Sequence, residues 1–106
     1  MTISGIEVLQ NAGLQDAFIQ RETRRRLAGV EDCVTRASAG AARSGYLASI
    51  YTGEGGSVIR FIEDGEPDPI TPCFGRRLER PWPPDANDGD VIMVSVTYAA
   101  PGFHHF

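Results

Sequence analysis

The sequence contains no lysine: all ten of its basic residues are arginine. An all-arginine cation set reads most simply as the codon usage of a GC-rich genome, and by itself it assigns no function. Cysteine is scarce too. Cys33 and Cys73 stand far apart, with no C-x-x-C and no regular metal spacing, which removes the usual sequence grounds for a metal or dithiol redox site. Two free thiols, buried as small apolar groups, are the expectation in a reducing compartment. No apolar run approaches the roughly 20 residues that a membrane-spanning helix needs. The first ten residues, MTISGIEVLQ, lack the basic start and apolar stretch of a signal peptide. The expected location is the cytoplasm, or a particle assembled there, with no membrane partner.

Catalytic signatures are missing as well. Gly53-Glu54-Gly55-Gly56 has no Gly-Lys-Ser/Thr and leads into a strand pattern, so it is not a phosphate loop. No G-x-S-x-G elbow occurs. Glu54 sits at a hairpin tip open to water, a poor setting for a general base. Glu63, Asp64, Glu66 and Asp68 are oxygen ligands of the type that calcium or magnesium takes. Their spacing is not that of an EF-hand, and Pro67 and Pro69 stiffen the backbone, so a solvated acidic turn is the simpler account. His104 and His105 are adjacent in an irregular tail and would point opposite ways in extended chain. The pattern therefore implies no catalytic residue, no cofactor and no metal. A small metal-dependent or acid–base enzyme using His104, His105 or the acidic turn is one alternative. A nucleic-acid binder acting through arginine is the other.

What is present is a hairpin signal. In SGYLASIYTGEGGSVIRFIEDG, Ser44 to Gly65, two β-rich runs (Tyr46–Thr52 and Ser57–Glu63) flank the glycine turn. Folded symmetrically about Glu54-Gly55, Ile50 stands opposite Ile59 and Ala48 opposite Phe61, four residues on one core-facing side. The other side carries Ser49 opposite Arg60 and Tyr51 opposite Val58.

The rest of the chain takes its place around that hairpin, as one domain over residues 1–106. Residues 1–13 predict an arm or edge strand. Residues 14–41 are helical, with Leu14, Phe18, Leu27, Val30, Val34 and Ala37 as the apolar stripe and Asn11 placed to cap the start. Residues 66–90 form a proline-rich connection, in which Ile70–Phe74 predicts a short strand confined to an edge by Pro72. Residues 91–98 give a further strand with Ile92, Val94 and Val96 on one face, and 99–106 a tail. The fold class is α+β: an N-terminal helical segment packed on a small, mainly antiparallel sheet.

Charge is divided unevenly. Residues 1–52 hold six arginines and five acids, and residues 53–106 hold four arginines and nine acids. This is not the basic footprint of a nucleic-acid binder; it suits charge-complementary contact with copies of itself or with other proteins. The interface candidates are the helical arginines Arg21, Arg24, Arg25 and Arg26, and Tyr51 and Arg60 on the outer hairpin face. Trp82, framed by Pro81, Pro83 and Pro84, and the tail residues Phe103 and Phe106 complete the set. Arginine pairs bidentately with carboxylates, and buried aromatics anchor interfaces. The reading is a structural or interaction subunit, homo-oligomeric or part of a larger assembly.

One arrangement has a family likeness. A helix containing alanines leads to Ser44-Gly45-Tyr46-Leu47-Ala48-Ser49-Ile50, and Phe61-Ile62-Glu63-Asp64-Gly65 follows. This order resembles small tail-completion and head–tail joining proteins of tailed bacteriophages, over Leu14 to Gly65. There a helix precedes a Thr-Gly-x-Leu-x-x-Ser-Ile-like strand and an aromatic-x-Glu-x-Gly segment. This chain has Ser44 for the threonine, a shorter interval and a different C-terminal third. The resemblance implies a ring-forming structural protein of a virion or related particle, without catalysis.

Overall fold

A computed structural model describes residues 2–28, 43–64 and 71–99. The elements in chain order are β1 (Thr2–Asn11), α1 (Asp16–Leu27), β2 (Arg43–Thr52), a 3₁₀ turn (Glu54–Gly56), β3 (Val58–Asp64), α2 (Thr71–Leu78) and β4 (Asp90–Ala99). The four strands make one antiparallel sheet in the order β1-β4-β2-β3. The α+β expectation holds, and residues 2–11 prove to be an edge strand. The Phe103–Phe106 tail and the second half of the helical segment lie outside the described residues.

Side chains alternate across the sheet, and cross-strand partners share a face. One row runs Val8, Val94, Ala48, Glu63 and another runs Asn11, Ile92, Ile50, Phe61. Ile92, Val94, Val96, Ala48 and Ile50 on this side are fully buried. The helices cover it: α1 packs on β1 and against α2, and α2 packs on β2 and β3. The opposite face carries the rows Glu7, Ser95, Leu47 and Gln10, Met93, Ser49, Ile62, followed by Val91, Tyr51, Arg60. No described helix lies on that side.

The hairpin keeps its expected pair of strands and changes its register. Ile50 stands opposite Phe61 and Ala48 opposite Glu63, two positions away from the symmetric fold about Glu54-Gly55. The cause is the turn. Gly53 N–H donates to Ser57 O (2.7 Å), centring the loop on Gly55, and Ile59 then bulges between the Thr52–Val58 and Tyr51–Arg60 pairs. A bulge adds one unpaired residue to one strand. Ile59 consequently leaves the core and is 64% exposed.

Two more expectations are corrected. Ile70–Phe74 is not an edge strand: Thr71–Leu78 is a helix, with Pro72 as its second residue. Proline is harmless in a first helical turn, where its missing N–H has no intrahelical partner to lose. Phe74 and Leu78, one turn apart, are both fully buried, and the Phe74 ring meets Tyr46 edge-on at 5.0 Å. Asn11 does not cap α1 either, since the cap position is Gln15, without a side-chain bond. Asn11 instead shapes the preceding turn, its Oδ1 accepting from Gly13 N–H and its Nδ2 donating to Asp16 Oδ1, each at 2.9 Å.

Candidate interaction surface

The four helical arginines do not form one collar. Successive residues of a helix face different directions, and α1 turns Ile19, Thr23, Arg26 and Leu27 inward. Arg26 is only 8% exposed. Its guanidinium donates to Glu22 Oε2 (2.7 Å), Arg80 O (2.8 Å) and Pro81 O (2.7 Å), and lies 4.0 Å from the centre of the Trp82 ring. Arg25 reaches the same Glu22 carboxylate from the solvent side. Trp82, proposed from sequence as a docking anchor, is 2% exposed. Its indole N–H donates to Leu78 O (2.9 Å) and its backbone N–H to Gly56 O (2.8 Å). Arg26 and Trp82 are thus interior fastenings that join α1, the end of α2 and the hairpin turn. An arginine whose five donors meet several fixed acceptors is tolerated inside.

Arg21 and Arg24 remain on the surface, and no described carboxylate pairs with either. Arg21 lines a groove of about 360 Å³ together with Gly13, Leu14, Gln15, Phe18, Pro83 and Asp85. A second groove of similar volume is lined by Ile6, Ala17, Gln20, Arg21 and Arg24. Arg21 stands at the junction of the two. Leu14, Phe18 and Ile6 are half-buried, so cationic groups sit beside apolar walls along the outer side of α1. The spacing Leu14, Phe18, Arg21 follows the helical period. Leu14 and Phe18 keep the place in the core stripe that the sequence predicts, since both pack against the core, and their remaining exposed surface lines the groove. Tyr51 and Arg60 lie on the sheet face opposite the described helices, the guanidinium 5.7 Å from the ring centre. The structure brings these two together, separate from the α1 arginines. Phe103, His104, His105 and Phe106, and Glu66 and Asp68 of the acidic turn, lie outside the described residues.

Two carboxylates respond to their surroundings in opposite directions. Burial acts to raise the Glu22 carboxyl, but the hydrogen bonds and charges of Arg25 and Arg26 outweigh it and leave it below its ordinary value. Glu63 is raised, by burial first and then by the Glu79 charge, against a lowering contribution from the Tyr46 hydroxyl. That hydroxyl is itself buried, with no hydrogen bond of good geometry. Burial, then the nearby Glu63, pushes it far above the ordinary phenol range.

These shifts are statements about stability. Glu22 prefers to be ionised in the fold, so its contribution is present above the ordinary value of 4.5 and lost as pH falls below it. Glu63 prefers to be neutral, so its contribution is present below 4.5 and lost as pH rises through its raised value. Urea midpoints taken from below 4.5 to neutrality should show Glu22→Gln flattening the acid loss. Glu63→Gln should raise stability at neutral pH relative to the parent. Identical pH profiles for parent and both variants would refute the assignment.

Among the described residues no group of three or more histidine, cysteine or acidic side chains is placed to hold a metal ion. Comparison with protein-family models, curated proteins and solved structures gave no match, so the surface itself carries the functional reading.

Proposed function

We propose that this chain is a non-catalytic interaction subunit of a protein assembly, and that the outer side of α1 receives an acidic, partly apolar segment of a partner. The observation that carries this is Arg21 at the junction of two grooves, with Arg24 beside it and with apolar walls from Leu14, Phe18 and Ile6. Neither arginine is consumed by a described ion pair, whereas Arg25 and Arg26 both are. An unpaired guanidinium beside apolar surface favours a carboxylate-bearing protein segment, which offers bidentate pairing and burial together. In the form implied by the resemblance to head–tail joining proteins, the assembly is a virion or phage-like particle.

The test is co-sedimentation of the tagged protein from producing cells. The parent should travel in a species heavier than its own chain. Arg21→Glu/Arg24→Glu should lose that partner while keeping the parental urea midpoint, because exposed charges contribute little to folding. Co-sedimentation undiminished by the double charge reversal would overturn the α1 assignment. A parent found alone in every fraction would overturn the assembly reading as a whole.

A further inference from the structure

The two edges of the sheet are not alike. An edge strand offers a row of unpaired backbone N–H and C=O groups, and proteins blunt it with bulges and charge. β1 is bulged twice, at Ser4 and at Leu9, where its register against β4 shifts. Each bulge interrupts the outward row. β3 has only the bulge at Ile59; from Arg60 to Asp64 its register against β2 is unbroken. It is the last strand in the sheet order, so no described strand lies beyond it. Ile62, at the middle of that straight run, is 36% exposed although it is a large aliphatic side chain.

The order of charges along this edge selects a partner. Read forward, the run is Arg60, Phe61, Ile62, Glu63, Asp64, basic at its start and acidic at its end. Set antiparallel against a second copy of itself, it meets opposite charge at both ends. Directly opposed residues in an antiparallel pair share a face, so a two-fold axis between identical strands must pass through a residue position. Three centres are open. Centring on Glu63 opposes two carboxylates. Centring on Phe61 opposes Arg60 to Ile62 and Ile59 to Glu63. Centring on Ile62 opposes Arg60 to position 64, an aspartate, at both ends, with Ile62 meeting its own copy between them.

We propose that β3 is a self-association edge, joining two copies of this chain through an antiparallel β3–β3 pairing centred on Ile62 into one continuous eight-stranded sheet. The contact is isologous, so every cross-strand pair off the axis occurs twice. It deepens the assembly reading and rests on it. β3 supplies the link between copies, and the outer side of α1, on the other half of the sheet, stays free for a different partner. Backbone pairing supplies the attraction, as in strand addition generally, and the opposite formal charges at positions 60 and 64 favour this register over the other two.

Sedimentation equilibrium and light scattering of the purified full chain test this, with four variants. The parent should show a concentration-dependent dimer. Arg60→Asp alone, or Asp64→Arg alone, places like charges opposite each other twice and should weaken the dimer at least about tenfold. The double reversal Arg60→Asp/Asp64→Arg restores opposite charges and should recover the dimer, which a general surface or folding effect would not do. Ile62→Lys, on the face opposite the described helices, should give a folded monomer with the parental circular dichroism spectrum. A parent that is monomeric throughout, or a double reversal no better than either single change, would overturn the β3 proposal. Arg21→Glu/Arg24→Glu should leave the dimer intact, and its loss in that variant would also count against β3. Because partner co-sedimentation is read separately, a monomer that still finds its partner sinks this edge and leaves the assembly reading standing.

Discussion

Replacing Gly56 with alanine is expected to destabilise the protein by about 3 kcal/mol or more, the scale of a strained backbone combined with overpacking. Gly56 has φ +80°, where a side chain already crowds its own backbone. A Cβ there would stand 2.6 Å from Pro83 O and closer still to Trp82 O. Both obstacles are carbonyls of the segment that seats Trp82, so no side-chain rotation relieves the clash. Relief requires separating the turn from residues 82–83, which breaks the Trp82 N–H bond to Gly56 O and loosens a buried indole. Gly55 supplies the control. Its φ is +71°, yet nothing stands within 4 Å of the Cβ it lacks. Gly55→Ala should therefore show only the left-handed penalty, about 1 to 2 kcal/mol. Urea denaturation of the two variants separates strain from collision, and equal losses would show that the contact with Trp82 and Pro83 is not limiting.

Arg26→Ala is expected to cost about 3 to 5 kcal/mol, the range found when one member of a buried ion pair is removed. Its loss leaves the carbonyls of Arg80 and Pro81 without their donor and strips one cation from the part-buried Glu22 carboxylate. The face of Trp82 loses its stacked guanidinium as well. Arg25→Ala removes the other partner of the same carboxylate. Arg25 is a solvent-facing residue, with 72% of its side chain exposed, and the loss there should be far smaller than for Arg26→Ala, because water screens an exposed pair. Arg26→Lys tests geometry against charge. An ammonium is a point donor that cannot replace the planar fork spanning Glu22 and two carbonyls, so most of the alanine loss should persist. Thermal unfolding provides a second readout. At roughly 4 to 8 °C per kcal/mol for a domain near this size, Arg26→Ala and Arg25→Ala should be clearly resolved. Similar losses for the two would mean that the arginine network is solvated and the burial argument fails.

How much of this was legible beforehand depended on whether the information was local. The alternation of Ile92, Val94 and Val96 and the two runs flanking the glycines specified strands and a hairpin, because a period of two needs only neighbouring residues to be read. The α+β class followed. The hairpin register did not, since one bulged residue at Ile59 is set by how the turn closes rather than by hydrophobic pattern. The pattern around Pro72 fits two elements, because proline is tolerated in an edge strand and equally suits the first turn of a helix. The buried pair Phe74 and Leu78 decides between them only once a sheet exists for them to cover.

The surface was the least legible part. Composition and periodicity alone establish that arginine is the only strong cation, that the two halves differ in charge, and that strands and one N-terminal helix form. Which arginines pair with described carboxylates and which stay at the surface depends on contacts made in the fold. Arg26 is drawn inside by acceptors at residues 77–81, more than 50 positions away along the chain, and Trp82 follows it there. Arg21 and Arg24, of identical chemistry and on the same helix, are left at the grooves. A charged side chain goes inside only where fixed partners repay its desolvation, and those partners come from parts of the chain that only folding brings together.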